Sequence, residues 1–266
     1  MSLAFDDNPV LEDVDLTLKP QDFVGLIGPN GAGKTVLLKV ILGLLKPDRG
    51  RVSVFGEPAD EHHGEIAWVP QFAHFETDFP IRVVDVVTMG TLKRANMMRR
   101  PTPQARARIE AAMQQVDLLE VAHQQVGRLS GGQVQRVLIA RALAQEARIL
   151  LLDEPAASLD SRFGEDLFEL LARLSQERAV LLVSHDIGVL HHYVTSVACL
   201  NRRLTFHGSR EVTKEMLEAT YGSHVDLVEH PFPHRILEPH EWQEDDPALH
   251  PESRGHTPHP ARREDD

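Results

Sequence analysis

Apolar residues recur along most of the chain at two spacings, which predict strands that alternate with helices. Five runs of apolar residues predict strands, at residues 22–27, 51–55, 66–69, 148–153 and 179–183. The last two runs are apolar almost throughout, which is typical of central strands in a parallel sheet. Segments between the strands repeat apolar residues every three or four positions, which favours helices. The alternation predicts an α/β fold.

The same pattern continues towards both ends of the chain. Alternation over residues 10–18 predicts one strand near the N-terminus. Residues 194–200 and 204–206 predict a closing hairpin, and residues 211–221 predict a last helix that ends at Gly222. The folded part is therefore expected to extend from the N-terminus to this glycine.

A predominantly helical segment is predicted at about residues 72–147, where the strand pattern is absent. Thr102 followed by Pro103 is typical of a helix start, because threonine caps the first turn and proline already has the required φ. Ser130 is predicted to cap a second helix in the same way. A later amphipathic helix has Phe163 at the start of its predicted apolar face.

Composition and charge exclude several classes of protein. The formal net charge of −12 over 266 residues argues against a general surface for nucleic acid or anionic membrane. The single cysteine, Cys199, excludes a disulfide within the chain, which suits a reducing compartment. No signal peptide and no apolar stretch of bilayer-spanning length is visible, so any membrane crossing is expected to come from another chain.

The segment after Gly222 differs in composition from the rest of the chain. It is rich in proline, histidine and carboxylates, which predicts a mostly disordered tail over residues 223–266. This tail holds seven of the 15 histidines. Histidine and carboxylate suit Zn²⁺ or Mn²⁺, which leads to the hypothesis that the tail buffers or senses metal. A solvated tail without ligands is the alternative, since no closed ligand spacing is present.

A phosphate-binding pattern, G-x-x-x-x-G-K-T, lies at residues 28–35 between a predicted strand and a predicted helix. In this context glycine N–H groups surround an anion, and the helix N-terminus adds partial positive charge. Lys34 is predicted to reach the β- and γ-phosphates, and Thr35 to ligate Mg²⁺. A glycine-rich turn is the alternative, which the flanking strand and helix disfavour. The predicted nucleotide contacts are Gly28, Pro29, Asn30, Gly31, Ala32, Gly33, Lys34, Thr35 and Val36.

Two carboxylates, Asp153 and Glu154, end the apolar run at residues 148–153. Asp153 can hold the water shell of a nucleotide-bound Mg²⁺. Glu154 can accept a proton from an attacking water or orient that water. An acidic turn without chemistry is the alternative, but the phosphate-binding pattern upstream favours a catalytic role.

A second candidate anion site lies at Ser130, Gly131 and Gly132, where glycines expose N–H groups at a predicted helix start. One chain has no obvious need for two cradles around a γ-phosphate. The simplest interpretation is a dimer, in which this segment closes over the nucleotide on the partner copy. An ordinary capped helix is the alternative.

The segments at residues 28–35, 129–133 and 153–154 resemble, in this order, the ATP-binding subunit of an ABC transporter. The resemblance covers about residues 5–222 and implies an ABC ATPase domain over residues 1–222. Its expected architecture is a P-loop NTPase (RecA-like) core with a small antiparallel β subdomain and the inserted α-helical subdomain.

The resemblance also implies further site residues. Gln71 resembles the glutamine that contacts Mg²⁺ and senses the membrane partner, Asp160 lies in a segment that crosses the dimer interface, and His185 resembles the switch histidine. Phe5 is at the position of the aromatic residue that stacks on adenine, although it lacks the hydroxyl of the usual tyrosine. The strand before this aromatic is expected to be short or missing, unless the true start lies upstream of Met1.

The implied reaction is ATP hydrolysis by a homodimer with Mg²⁺ bound. The implied catalytic residues are Lys34, Gln71, Glu154 and His185. The implied magnesium ligands are Thr35, Gln71 and Asp153. The partner copy is expected to contribute the signature segment and the interface aspartate, namely Ser130, Gly131, Gly132, Gln133 and Asp160.

The expected partners are integral membrane permease subunits at the cytoplasmic face of the membrane, and indirectly an extracytoplasmic metal-binding protein, with no role for nucleic acid. Phe72, Phe75 and Phe79 are candidate permease contacts. Residues 84–90 and 200–208 resemble the branch that imports manganese, zinc or iron. Transport of a siderophore, haem or amino acid, or export, is the alternative.

Overall fold

The structure of the chain is a computed structural model. It describes residues 1–6, 8–59, 64–71, 79–92, 100–157, 159, 161–208, 210 and 213–221. Asp160, Phe72, Phe75 and the predicted tail at residues 223–266 lie outside the described residues. The predicted domain boundary at Gly222 therefore stays a prediction.

The described residues form ten strands. They are β1 (Leu3–Phe5), β2 (Asn8–Leu11), β3 (Phe23–Ile27), β4 (Ser53–Val54), β5 (Glu57–Pro58), β6 (Ile66–Val69), β7 (Ile149–Asp153), β8 (Ala179–Val183), β9 (Ser196–Asn201) and β10 (Arg203–His207). The helices are α1 (Lys34–Ile41), α2 (Val83–Met89), α3 (Pro103–Gln115), α4 (Gly131–Ala144), α5 (Ser161–Ser175), α6 (Ile187–Tyr193) and α7 (Lys214–Tyr221). Short 3-10 helices span Leu119–Val121 and Val126–Arg128.

A six-stranded sheet, ordered β10-β9-β3-β8-β7-β6, forms the centre of the described part. All neighbouring strands are parallel except β9 and β10, which form the predicted hairpin. The carboxyl ends of β3, β6, β7 and β8 therefore meet at one edge of the sheet. Two small antiparallel pairs, β1–β2 and β4–β5, lie outside this sheet.

Both faces of the sheet are buried, which explains why its strands are apolar almost throughout. Successive residues of β7 belong to different apolar clusters: Leu150 and Leu152 pack on one side, and Leu151 packs on the other. In β3, Phe23 joins the first cluster and Val24 joins the second. This is the period-two alternation of a strand with helices or loops against both faces.

The described residues between β6 and β7 form helices and no strand, as predicted. Thr102 caps α3, because its Oγ accepts a hydrogen bond from the Ala105 N–H at 3.2 Å. The apolar face of α3 is buried, including Ile109 and Met113. The helices α2, α3 and α4 pack against one another, and α4 also contacts β6, so this segment is a helical layer next to the β6 edge of the sheet.

Several sequence predictions were wrong in detail. The strand predicted over residues 10–18 ends at Leu11, because Asp13 has a φ of 47° and no described strand pairs with the segment beyond it. That segment lines a cavity of about 770 Å³ together with residues 51–55. The predicted strand at residues 51–55 contracts to β4, since Phe55 and Gly56 turn the chain with positive φ.

Other errors concern helices and their faces. The helix α1 ends at Ile41 rather than near Leu45, because Gly43 has a φ of 71°. The last helix begins at Lys214, three residues later than predicted. Phe163 is 52% exposed, so it does not lie on the buried face of α5. The helix α6 and the strand β5 were not predicted. The strand at Phe5 is short, as expected, since β1 has three residues.

Gly90 allows α2 and α4 to approach closely, and this contact can be tested. A Cβ on Gly90 would lie 2.0 Å from the backbone oxygen of Arg141. Gly90→Ala is therefore expected to lower the free energy of unfolding by about 1–3 kcal/mol, the usual cost of overpacking. Chemical denaturation measures this change.

Gly164→Ala is the matched control, because no atom lies within 4 Å of the added Cβ inside α5. This variant is expected to be neutral or to gain up to about 1 kcal/mol from helix propensity. Equal stabilities of Gly90→Ala and the unmodified protein would contradict the close packing of α2 on α4.

Candidate functional site

The phosphate-binding loop connects β3 to α1 and depends on glycine for its shape. Gly31 has a φ of 78°, and Gly33, which directly precedes α1, has a φ of 96°. A Cβ on Gly33 would also lie 3.0 Å from the Val10 carbonyl oxygen, so the loop is closely packed against β2. A left-handed glycine immediately before a helix turns the loop N–H groups towards one point, which suits an anion.

Lys34 is buried, with its ammonium group inside the loop. Its Nζ donates to the carbonyl oxygens of Gly28, at 2.7 Å, and Pro29, at 3.0 Å. Burial lowers the pKa of this ammonium, and the nearby carboxylates of Glu154 and Asp153 oppose that shift. The loop carbonyls therefore hold a positive charge at the place where a phosphate would contact the loop.

Thr35, near the start of α1, contacts Asp153, the last residue of β7, although β8 lies between β3 and β7. The Thr35 Oγ donates to Asp153 Oδ2 at 2.8 Å. Asp153 is only 5% exposed, and this burial raises the pKa of its carboxyl. The Glu154 carboxylate raises the pKa further, whereas the hydrogen bond from Thr35 and the charge of Lys34 lower it. A hydroxyl and a buried carboxylate are oxygen ligands of the kind that Mg²⁺ prefers.

Glu154 receives hydrogen-bonding groups from both neighbouring strand ends. The Gln71 Nε2 donates to Glu154 Oε2 at 2.9 Å, and the His185 Nδ1 lies 3.4 Å from the same oxygen. Glu154 has a φ of 46°, an uncommon conformation for a non-glycine residue, and its N–H donates to the Val183 carbonyl at 3.0 Å. Two predicted site residues, Gln71 and His185, are therefore brought together on the carboxylate of a third, Glu154.

A cavity of about 280 Å³ lies beside this carboxylate. It is lined by residues of the turn after β7 and by Ser184, His185 and Asp186 after β8. The cavity gives a small molecule room next to Glu154.

The segment at residues 129–133 lies in the helical layer. Ser130 and Gln133 form a capping box at the start of α4: the Ser130 Oγ accepts from the Gln133 N–H at 3.3 Å, and the Ser130 N–H donates to the Gln133 Oε1 at 3.0 Å. Gly131 is exposed. Within the described residues no hydrogen bond joins this segment to the phosphate-binding loop.

The remaining predicted residues have simpler positions. Phe5 ends β1 and is 45% exposed, in a hairpin whose second strand packs against Gly33. Asn30 and Thr35 are exposed, and Ala32 is buried. Asp160 lies outside the described residues, although its neighbour Leu159 would lie 3.5 Å from a Cβ on Gly131.

The sequence prediction missed the contact of the phosphate-binding loop with the end of β9 and the turn that follows it. The Arg202 N–H donates to the Ala32 carbonyl at 3.3 Å. A Cβ on Gly28 would lie 2.0 Å from the Leu200 carbonyl oxygen. Both contacts join residues that are distant in sequence, and the predicted hairpin does not reveal them.

The chain is similar to known proteins over most of its length. The family model described as ABC transporter matches residues 11–157. A manganese transport system ATP-binding protein, MntB of Listeria innocua, is 36% identical over 225 residues, which is 84% of this chain and 94% of the relative. A zinc transport system ATP-binding protein, TroB of Treponema pallidum, is 37% identical over 228 residues, covering 85% and 86% of the two chains.

Solved structures are similar over most of the chain. A metal-chelate type ABC transporter in an inward-facing conformation is 29% identical with a TM-score of 0.73, covering 82% of this chain and 84% of that chain. A nucleotide-free ATP-binding cassette from an ABC transporter, at 22% identity and a TM-score of 0.70, covers 82% and 91% and supports the fold. Among the described residues, no helix has the length and apolar character needed to cross a bilayer.

Asp153→Asn is expected to raise the melting temperature of the nucleotide-free protein. Because the folded-state pKa of this carboxyl lies above its unfolded value, its ionisation lowers stability as the pH rises through the folded pKa. Asparagine does not ionise, so this destabilisation disappears. We expect a gain of roughly 2–4 °C, the shift that about 1 kcal/mol produces in a domain of this size.

Differential scanning fluorimetry at neutral pH measures this gain in melting temperature. Repeated with ATP and Mg²⁺, it also measures how far the variant still binds the metal ion. The same variant should lose the additional stabilisation that Mg²⁺ gives when ATP is present. Asp166→Asn, an exposed position on α5, is the control and should change neither value. A lower melting temperature in Asp153→Asn would contradict the inferred burial penalty.

Proposed function

Because the chain belongs to the ABC transporter family, we propose that it hydrolyses ATP to power the import of a divalent metal ion, manganese or zinc, through a separate permease. The observation that supports hydrolysis most directly is the convergence of Gln71 and His185 on the Glu154 carboxylate, next to the phosphate-binding loop. The metal is proposed because similar chains are described as parts of manganese and zinc transport systems.

Lys34 and the loop backbone are assigned to hold the phosphates. In the structure the Lys34 ammonium donates to two loop carbonyls. A phosphate offers the same ammonium a charge-assisted hydrogen bond, which is stronger than one to a neutral carbonyl. Lys34 can therefore transfer from Gly28 and Pro29 to the nucleotide, while the N–H groups of residues 31–35 and the α1 N-terminus neutralise further charge.

Thr35, Asp153 and Gln71 are assigned to Mg²⁺. The first two already present oxygen atoms 2.8 Å apart, and the amide oxygen of Gln71 is a suitable third ligand. When bound, the metal ion neutralises charge on the β- and γ-phosphates. The positive charge of the metal ion then adds to that of Lys34 in compensating the buried carboxylate of Asp153.

Glu154 is assigned as the general base. Its carboxylate oxygen accepts a hydrogen bond from Gln71 and lies beside His185, so both residues fix its orientation. In this role Glu154 accepts the proton of the attacking water as the water oxygen bonds to the γ-phosphorus. The bond between that phosphorus and the β–γ bridging oxygen breaks, and ADP leaves. Most of the remaining rate enhancement is expected from positioning and charge neutralisation.

A second copy of the chain is assigned to complete the site. The α4 N-terminus carries Ser130, Gly131, Gly132 and Gln133, lies in the helical layer, and exposes Gly131. A helix start of this kind favours an anion. We assign it, together with Asp160, to the nucleotide held by the partner copy, and we retain Phe5 as the residue that stacks on adenine.

The helical layer is assigned to the permease at the cytoplasmic face of the membrane. Phe79, Met89 and Leu92 are 56%, 47% and 37% exposed. Met89 ends α2, and the other two lie shortly before and after this helix. Exposed apolar residues of this kind favour a protein contact. Residues 1–222 are proposed as the ATPase domain and residues 223–266 as a separate tail, and an extracytoplasmic metal-binding protein is the proposed source of substrate.

Glu154→Gln is expected to lower ATP turnover by roughly 10²–10⁴-fold, the usual contribution of a general base. The amide retains the shape of the carboxylate but cannot accept the proton, so ATP should remain bound and stabilise a dimer. Phosphate release measures turnover, and size-exclusion chromatography with ATP measures dimer formation.

Glu110→Gln, on the exposed side of α3, is the matched control. It should retain full ATP turnover, and its monomer–dimer equilibrium with ATP should equal that of the unmodified protein. Undiminished turnover in Glu154→Gln, assembled with its permease, would contradict the assigned role. A monomer in the presence of ATP would contradict the proposed shared site.

Cells that lack this protein are expected to accumulate less manganese or zinc when the external metal is scarce. Mass spectrometry of cell extracts measures each metal. Complementation with the unmodified gene should restore the level, whereas the Glu154→Gln gene should not. Unchanged manganese and zinc, with reduced uptake of iron chelates or amino acids, would instead favour the alternative substrates.

A further inference from the structure

Three arginines line one cavity at the amino ends of two central strands. The cavity has a volume of about 300 Å³, and its wall contains Arg108, Arg148 and Arg178. Arg148 directly precedes β7, and Arg178 directly precedes β8. Asp153 is at the other end of β7, which has five residues and is therefore roughly 16 Å long. The cavity is thus separate from the candidate nucleotide site.

The wall of this cavity comes from two parts of the fold. Arg108 belongs to α3, in the helical layer, whereas the other two arginines adjoin the central sheet. The apolar part of the wall is formed by Ala112, Leu143 and Ala147, which are all buried. Packed elements therefore hold the arginines on both sides, and a ligand in the cavity would contact the helical layer and the sheet together.

Two guanidinium groups in this wall have a buried donor without an acceptor. The Nε atoms of Arg108 and Arg178 are buried, and neither has a hydrogen-bond partner in the part of the chain that the structure describes. Other nitrogens of both groups are used, since Arg108 pairs with Glu146, and Arg178 Nη2 donates to Glu177 Oε2 at 3.0 Å. An unsatisfied buried donor costs more than an average hydrogen bond contributes, so the two Nε–H groups point to an acceptor that occupies the cavity.

Capping of the nearby helices does not account for these donors. The helices α4 and α5 end next to residues of the wall, and their partial negative charge is compensated in part by the arginines. Carbonyls at both ends already have partners: the Leu143 carbonyl accepts from the Glu146 N–H at 2.9 Å, and the Arg173 carbonyl accepts from the Gln176 N–H at 3.3 Å. Compensation of a partial charge requires only a nearby positive charge, so it leaves two directional N–H donors unused.

The electrostatic balance of the wall favours an anion. The chain has a formal net charge of −12, yet among the described residues three arginines and two glutamates, Glu146 and Glu177, line this cavity. The glutamate side chains are 64% and 72% exposed, so water screens their charge. The Arg108 and Arg178 side chains are 34% and 12% exposed, so their charge is screened less. The cavity is therefore a positive region in an acidic chain.

We propose that this cavity binds a phosphate group, as inorganic phosphate or in a small phosphate ester, and that the Nε–H groups of Arg108 and Arg178 donate to its oxygens. A guanidinium presents its donors in a planar fork that matches phosphate, and such hydrogen bonds are charge-assisted. A water molecule would satisfy a donor but would leave the charge of the arginines uncompensated. Arg148 adds positive charge while its guanidinium stacks on the Phe55 ring, 3.9 Å from the centroid. The volume of the cavity is at the lower end of the range for small-molecule sites.

Isothermal titration calorimetry of the full chain tests the proposal, with inorganic phosphate and glycerol phosphate as separate probes at constant ionic strength. All proteins in this experiment carry Lys34→Ala, so that the phosphate-binding loop contributes as little as possible to the signal. We expect a Kd of about 1 mM or tighter for at least one probe. Arg108→Gln and Arg178→Gln should each raise this Kd at least about tenfold, the effect of losing a charge-assisted hydrogen bond. The probe that binds more tightly identifies the source of the phosphate group, a free anion or an ester.

Arg173→Gln is the matched control, because Arg173 is exposed on the last turn of α5 and is not among the residues of the cavity wall. This variant should keep the original Kd. Arg178→Lys retains the positive charge but lacks the Nε–H donor of the guanidinium. It should therefore recover only part of the affinity that Arg178→Gln loses, which separates the hydrogen bond from the charge.

Nuclear magnetic resonance of the arginine Nε–H groups in the isotope-labelled, unmodified protein gives a readout that does not depend on the folding of Arg178→Gln. The Arg108 and Arg178 signals, assigned with Arg108→Gln and Arg178→Lys, should move as phosphate is added, while the Arg173 signal stays in place. The proposal is overturned if neither probe binds, if both glutamine variants keep the Kd of the control, or if the Arg108 and Arg178 signals do not move. None of these outcomes affects the proposed transport function, because the cavity is separate from the nucleotide site.

Discussion

The hydrogen bond between Thr35 and Asp153 is the contact on which the site geometry depends. It joins the start of α1 to the end of β7 across the intervening strand β8, and it holds a carboxylate that is 5% exposed. Burial opposes ionisation of this carboxylate. Lys34 is buried in the same region with the opposite charge. The fold therefore concentrates charge whose full compensation requires a ligand.

The order of strands explains how distant segments meet at this ligand site. Gln71, Glu154 and His185 follow β6, β7 and β8, which are neighbours in space although helices separate them along the chain. Because these strands are parallel, their carboxyl ends lie at one edge, beside the loop after β3. Glu154 adopts an uncommon positive φ there, which places its carboxylate between the other two residues.

The amino-acid sequence was sufficient to predict those features that depend on local interactions. The glycines of residues 28–33, the cap at Thr102 and the apolar strands were predicted because each depends on neighbours in the chain or on burial of both sheet faces. Alternation at Val14 and Leu16 was misleading, since a strand also needs a partner. Phe163 matched a helical period yet is exposed. The contact of Arg202 with Ala32 is purely tertiary, and no periodicity indicates it.

The helix α4 connects the two candidate anion sites mechanically. Its start carries Ser130, while its second half is joined to β6: Arg141 donates to the Trp68 carbonyl at 3.4 Å, and Gln145 donates to the Ile66 carbonyl at 3.0 Å. The strand β6 ends just before Gln71, which contacts Glu154. A ligand that draws Gln71 towards Mg²⁺ therefore acts on β6, and through it on the helix that presents Ser130. In the dimer proposed above, this path links closure over the partner's nucleotide to the state of the chain's own site.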